Sequence, residues 1–136
     1  MNKMCLHISK IETKKFAKKH KDDKKVRVFK VVAVKSYGCV SPCWHTEIKG
    51  GWYVSDRHKN DNKLTNWELR DRAINEGIHV FTSLSAAKRW STAGEAVLEC
   101  EAYMKDFIAR GIGAQAVFMK IWIPAKEIRR VVKERI

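Results

Sequence analysis

Residues 26–34 have the sequence VRVFKVVAV, and this run decides the fold class of the chain. Valine is enriched in strands because a β-branched side chain packs well on a pleated surface. Successive side chains of a strand point to opposite faces, so the run predicts a strand with two distinct faces. One face holds Val26, Val28, Lys30, Val32 and Val34, and the other holds Arg27, Phe29, Val31 and Ala33.

Glycine and capping residues divide the next segment into short elements. The Gly50-Gly51 pair lies between TEIK and WYVS, which predicts a two-residue hairpin within residues 45–55. Thr65 or Asn66 is placed to cap a following helix, because short polar side chains satisfy free backbone N–H groups at a helix start.

The last third of the chain predicts two related strands and a helix. Residues 98–107 and 119–128 align at a shift of 21, and both alternate apolar and polar side chains. They therefore predict neighbouring strands, with residues 109–115 as the turn of a long hairpin between them. After Pro124, apolar residues recur near helical spacing, which predicts a basic amphipathic helix.

The order of these elements predicts a single α+β domain. A chain of 136 residues fits one core, and strand, hairpin and helix follow one another without a regular βαβ repeat. We expect an antiparallel or mixed sheet of about five or six strands with three or four short helices. Residues 26–136 would form the globular domain, preceded by residues 1–25 as a basic arm or helix that Thr13 could cap.

Positive charge is concentrated at the two ends of the chain. The formal net charge is +13, of which residues 1–30 contribute +8 and residues 120–136 contribute +4. An excess of this size is above the roughly 2 to 8 charges that solubility requires, so it indicates a negatively charged partner. We expect both ends to converge on one anion-binding surface. Its candidate residues are Lys14, Lys15, Lys18, Lys19, Lys21, Lys24, Lys25, Arg27, Arg129, Arg130 and Lys133.

Four aromatic residues are candidates for stacking on bases beside these positive charges. Exposed aromatic rings stack on unpaired bases, while lysine and arginine neutralise phosphates. Because each ring has apolar or turn residues beside it, the sequence instead favours a place in the core. The residues concerned are Trp44, Trp52, Tyr53 and Trp67.

Cysteine and histidine offer one candidate metal cluster. Cys39, Cys43 and His45 have a C-x3-C-x-H spacing, and zinc prefers four nitrogen or sulfur ligands. The spacing matches neither a paired CxxC ribbon nor a finger, so we expect no metal, no cofactor and reduced thiols. The residues that could complete a site are Cys5, His7, His58 and Cys100.

The hydrophobic pattern favours a cytoplasmic protein without a membrane partner. The longest apolar runs fall short of the roughly 18 to 20 residues that span a bilayer, and no secretion signal is evident. The C-terminal helix lacks a Trp or Phe anchor on its apolar face, so a membrane surface ranks last among the possible polyanions.

Residues 77–90, GIHVFTSLSAAKRW, predict a short strand followed by a helix that Ser83 caps. This segment resembles small phage accessory proteins and, distantly, the strand-to-helix segment of ADP-ribosyltransferase-like folds. The second resemblance implies NAD contacts from Arg27 or Lys30 and a catalytic glutamate at Glu99 or Glu101. It also implies a pocket lined by His79, Ser83 or Ser85.

Two hypotheses of different class follow. The first is a small, basic, non-enzymatic binding protein of phage accessory type. It would bind nucleic acid, or a host defence protein that it inhibits in the manner of anti-CRISPR proteins. The second is an ADP-ribosyltransferase-like enzyme or a degenerate relative of one, although the expected Glu-x-Glu motif is matched only by the letters of Glu99-Cys100-Glu101.

Overall fold

The chain has an α+β fold. The computed structural model describes residues 6–41, 47–55, 63–74 and 76–135, with the backbone alone of residue 135. Within these ranges four α-helices accompany antiparallel strands, so the predicted fold class and helix number are confirmed. The predicted five or six strands are wrong, because the described residues form a nine-stranded sheet and a separate two-stranded sheet. Several of these strands have two to four residues, too few for alternation to be visible in the sequence.

The elements alternate irregularly along the chain. In order they are β1 (Leu6–His7), α1 (Lys10–Lys19), β2 (Lys25–Lys35), β3 (Gly38–Val40), β4 (Glu47–Ile48), β5 (Gly51–Val54), α2 (Asn66–Asp71), β6 (Ala73–Ile74), β7 (Ile78–Phe81), α3 (Leu84–Trp90), β8 (Glu95–Tyr103), a 3₁₀ turn (Met104–Asp106), β9 (Phe107–Arg110), β10 (Gln115–Phe118), β11 (Lys120–Ile123) and α4 (Ala125–Arg135).

Strand β2 is the centre of the large sheet, which confirms the strand predicted over residues 26–34. The sheet order is β5-β11-β8-β2-β7-β10-β9, and β3 pairs with β2 near its end while β4 pairs with β3. Strands β2 and β8 pair along nine residues, from Lys25 opposite Tyr103 to Ala33 opposite Glu95. Strands β1 and β6 form the small sheet.

In the described part of the predicted hairpin, residues 47–55, the strands on either side of Gly50-Gly51 do not pair with each other. Strand β4 pairs with β3, and β5 pairs with β11 on the far side of β8. Ile48 and Gly51 are three residues apart, so they lie within roughly 11 Å of each other. The ladder β4-β3-β2-β8-β11-β5 must therefore curve strongly to bring its two ends together. Gly50 fits this junction because a side chain there would meet Ala125.

The two faces of β2 are covered differently. Its even-numbered residues, such as Val28 and Val32, point into the main core with Leu98 and Cys100 of β8. Phe16 of α1 and Val131 of α4 complete this core. The odd-numbered Phe29 and Val31 lie on the other face, where Phe81 and the paired alanines of α3 cover them. From Phe29 towards the start of β2, at Arg27 and Lys25, this outer face is exposed.

Local capping follows the prediction at two of three helices. Ser83 caps α3, and Thr65 caps α2 in a reciprocal box with Glu68. Helix α1 begins earlier than predicted, because Ser9 accepts the hydrogen bond from the Glu12 N–H. Thr13 instead binds the backbone of Arg110, donating to its carbonyl and accepting from its N–H, which pins α1 to β9.

The C-terminal strands pair partly as predicted. Strands β8 and β11 are neighbours, with Trp122 opposite Glu101. The turn predicted over residues 109–115 instead joins β9 to β10 through residues 111–114, so this hairpin lies beside β7 and not between β8 and β11. The amphipathic helix after Pro124 is confirmed as α4. Within the described ranges, no helix combines the length and apolar character needed to cross a membrane.

Candidate functional site

A row of side chains crosses four strands on the exposed outer face. Trp52 on β5 lies opposite Trp122 on β11, Trp122 lies opposite Glu101 on β8, and Glu101 lies opposite Arg27 on β2. Neighbouring strands are about 4.8 Å apart, so these cross-strand pairs are in direct contact range. The arrangement depends on register between segments far apart in sequence.

Trp52, Tyr103 and Trp122 form an aromatic platform on this face. The rings of Trp52 and Trp122 have centroids 5.3 Å apart and meet edge to face, and Tyr103 lies 5.7 Å from Trp52. Trp52 is 45% exposed and Trp122 is 40% exposed. A tryptophan buries a large apolar area when it is covered, so two adjacent exposed rings indicate a binding surface.

The expectation that the aromatic residues are core is wrong for two of them. Trp52 is exposed, as is Trp67 at 49%, while Tyr53 packs partly buried against the core. Trp44 lies outside the described residues. Alternation within β5 explains the difference, because consecutive Trp52 and Tyr53 must point to opposite faces of the sheet. That signal was present in the sequence, but only the sheet shows which face is uncovered.

Cationic side chains surround the platform. Lys120 Nζ lies 4.7 Å from the centre of the Trp52 ring, and Lys105 Nζ lies 5.6 Å from the centre of the Tyr103 ring. Between the rings is a pocket of about 250 Å³ whose polar lining is Lys25 and Glu101. Lys25 was predicted to belong to the basic binding surface, whereas Lys105 and Lys120 were not, because strand pairing brings them to the rings.

A basic groove lies beside the platform, between α1 and the first residues of β2. Its volume is about 600 Å³, and the cations that line it are Lys15, Lys19, Lys25, Arg27 and Arg110, with His20 beside them. Phe16 is buried and anchors α1 at the floor of the groove. Lys19 is three residues further along the helix, so it lies on the same side and lines the groove. Glu12 and Asp23 also line it and reduce its net charge.

Lys25 belongs to both features. It is part of the lining of the basic groove and of the pocket in the aromatic platform. Its ammonium lies 3.6 Å from the Glu101 carboxylate, and the neighbouring Arg27 guanidinium lies 3.3 Å from Glu99. All four side chains are at least half exposed, so these ion pairs contribute little to stability and open readily to a ligand.

The remaining predicted lysines of the N-terminal end do not line the groove. They lie exposed on α1 or on the turn before β2 and add positive charge without a fixed geometry. These residues are Lys14, Lys18, Lys21 and Lys24.

The C-terminal candidates are placed elsewhere. Arg130 lies in a groove between α3 and α4, together with Lys88, Glu99 and Glu134. Its guanidinium is held by Glu127 and Glu134, each at 3.0 Å, and donates to the Val97 carbonyl. Arg129 and Lys133 are exposed on the same helix. The grooves therefore do not bring Arg130 together with the N-terminal lysines.

The cysteines that the structure describes are buried thiols. Cys39 on β3 and Cys100 on β8 are free and buried, and burial raises the pKa of both, to about 12 for Cys100. Cys43, His45, Cys5 and His58 lie outside the described residues. In the part of the chain that the structure covers, no group of three or more His, Cys, Asp or Glu side chains could hold a metal ion.

The residues implied by the transferase resemblance lie in different environments. Lys30 and His79 are both buried, and the Lys30 ammonium donates a hydrogen bond to the backbone carbonyl of His79. Burial and the nearby positive charge of Lys30 lower the pKa of His79 to about 4. Glu99 and Glu101 point to the opposite, exposed face of the sheet from Lys30. Ser83 caps α3, and its hydroxyl also contacts that of Ser85.

Comparisons with known proteins give no relative for this arrangement. No protein-family model, curated protein or solved structure matches the chain.

Proposed function

We propose that the protein binds single-stranded nucleic acid across the aromatic platform and the basic groove, which act as one continuous surface. The observation that carries the proposal is the position of Lys25, which lines both features. A strand whose bases lie on the platform can then pass its phosphates directly into the groove.

The aromatic platform suits unpaired bases. A base stacked on an exposed aromatic ring contributes about 1–3 kcal/mol, and the faces of bases in a duplex are already covered by their neighbours. Trp52 and Trp122 meet edge to face, at an interplanar angle of 74°, so they offer two differently oriented stacking surfaces. Single strands can splay their bases to use both surfaces, whereas a rigid duplex cannot.

The basic groove suits the phosphate backbone. Lys15, Lys19, Lys25 and Arg27 line it from two sides, and all four are exposed. Neutralising phosphates releases condensed counterions, which favours binding and makes it dependent on salt. Arg110 is mostly buried and close to Glu12, at 3.7 Å, so it shapes the groove more than it binds.

The test is a salt titration with fluorescently labelled oligonucleotides. We expect single strands to bind more tightly than a duplex of the same sequence, with quenching of tryptophan fluorescence. Four neutralised phosphates predict a slope of log K against log salt of about −3 between about 50 and about 200 mM.

Polyglutamate is the matched control, because it carries negative charge but no bases. It should bind more weakly than a single strand of equal charge. A flat salt dependence, preference for the duplex, or equal affinity for polyglutamate would contradict the proposal. If no nucleic acid binds, a host protein target becomes the leading hypothesis.

A further inference from the structure

One acidic residue lies in the middle of the nucleic-acid surface. Glu101 is directly opposite Trp122, lines the pocket between the aromatic rings, and has a half-exposed side chain. Its carboxylate is 3.6 Å from the Lys25 ammonium, which is too long for a good hydrogen bond. A carboxylate repels phosphate, so its position in this pocket suits contact with the edge of a base.

The pair Lys25 and Glu101 offers a donor beside a double acceptor. A carboxylate has two oxygen acceptors and no donor, and an ammonium has only donors. Guanine presents two adjacent donors, N1–H and the N2 amino group, followed by the O6 acceptor. The two donors of guanine therefore match the Glu101 carboxylate, and its O6 acceptor matches the Lys25 ammonium.

The other bases match this pair less well. Cytosine and adenine each present a single amino group beside a ring acceptor, which leaves one carboxylate oxygen without a donor. Uracil and thymine have one N–H between two carbonyl oxygens. One of these oxygens can accept from Lys25, but the other would face the Glu101 carboxylate. A base that leaves an acceptor of the site without a donor binds less tightly, because the unpaired group costs free energy.

We propose that the pocket of the aromatic platform is a guanine-binding subsite. Glu101 accepts hydrogen bonds from N1–H and N2–H of the base, Lys25 donates to O6, and the base stacks on the platform rings. This inference rests on the proposed binding of single strands, and it adds base preference to that function.

The experiment compares uridine oligomers of about eight nucleotides that carry one central guanosine, adenosine, cytidine or inosine. We expect the guanosine oligomer to bind the protein about tenfold more tightly than oligouridine. Inosine lacks the N2 amino group, so it should fall between guanosine and uridine. A labelled guanosine oligomer followed by fluorescence anisotropy gives the affinities directly.

The variant Glu101→Gln removes the double acceptor but keeps the shape of the side chain. We expect it to reduce the ratio of guanosine to uridine affinity to about threefold or less. Glu99→Gln is the matched control, because Glu99 lies on the same face of β8 but outside this pocket. It should retain the preference.

The outcomes separate this inference from the function on which it rests. If wild-type protein binds guanosine and uridine oligomers equally, the guanine subsite is overturned and single-strand binding stands. If Glu101→Gln keeps the full preference, the role of Glu101 is overturned. If wild-type protein binds none of the oligomers, the proposed function itself fails.

Discussion

Glu127 accepts a hydrogen bond from the backbone N–H of Glu99 at 2.8 Å, so a side chain of α4 occupies the edge of β8. Two residues away on the same edge, the Val97 carbonyl accepts from the Arg130 guanidinium at 2.9 Å. Together, Glu127 and Arg130 supply the acceptor and donor that a neighbouring strand would supply. Covering a strand edge in this way prevents pairing with another chain.

Replacing Glu127 with alanine should lower the free energy of unfolding by about 1.5–3 kcal/mol, as expected for a hydrogen bond to a charged group. Urea unfolding followed by circular dichroism measures this loss. Glu134→Ala is the control, because Glu134 also pairs with Arg130 but is 63% exposed and, among the described residues, its hydrogen-bond partner is Arg130 and not the β8 backbone. It should cost less than about 1 kcal/mol. Equal losses in the two variants would contradict this role of Glu127.

Replacing Trp52 with alanine should weaken single-strand binding without unfolding the protein. Loss of one stacking surface is worth about 1–3 kcal/mol, which is roughly 5- to 150-fold in affinity. The side chain is nearly half exposed, so we expect a small change in stability. Trp67→Ala is the matched control, since Trp67 is equally exposed on α2 and outside the platform. Similar losses in both variants would show that the platform is not the binding surface.

The elements that the sequence predicted are those with strong local signals. The β-branched run of β2 forms a central strand, and Ser83 caps α3 as its hydroxyl and position require. Helix α4 follows from apolar residues at helical spacing. In each case the information lies within one short, continuous segment of the chain.

The candidate site could not be predicted in the same way. Trp122 contacts Trp52 across a strand pair whose members are seventy positions apart in the sequence. Arg130 looked available for anions, but Glu127 and Glu134 from its own helix hold it. The exposure of Trp52 and Trp122 depends on which face of the sheet is covered, and no local pattern encodes that. The ion pairs of Arg130 are local, because Glu127 and Glu134 lie three and four residues from it on one helix.

Protonation of His79 should destabilise the fold at mildly acidic pH. Its pKa is lowered to about 4 by burial and by Lys30, whereas an unfolded histidine has a pKa near about 6.5. Between these values the unfolded chain binds a proton that the folded chain does not. The free energy of unfolding should therefore fall as pH decreases from about 6.5 to 4, by roughly 3 kcal/mol from this residue.

Two measurements check the role of His79. Nuclear magnetic resonance should show the His79 ring titrating well below the ordinary histidine range. Urea unfolding of a His79→Phe variant should show a weaker pH dependence than wild type across the same window, since carboxylates affect both proteins alike. An unchanged pH dependence would contradict the assignment.

Replacing Gly50 with alanine tests the close approach between the β4–β5 junction and the start of α4. The added methyl carbon would lie 2.8 Å from the Ala125 Cβ and 2.9 Å from its Cα, closer than packed carbon atoms approach. The junction between β4 and β5 would have to move away from the start of α4. We expect a loss of about 1–3 kcal/mol in the free energy of unfolding, typical of an overpacked site. In the double variant with Ala125→Gly, part of this loss should be recovered, because neighbouring sites are energetically coupled. A Gly50→Ala protein as stable as wild type would mean that the junction between β4 and β5 does not lie as close to α4 as described.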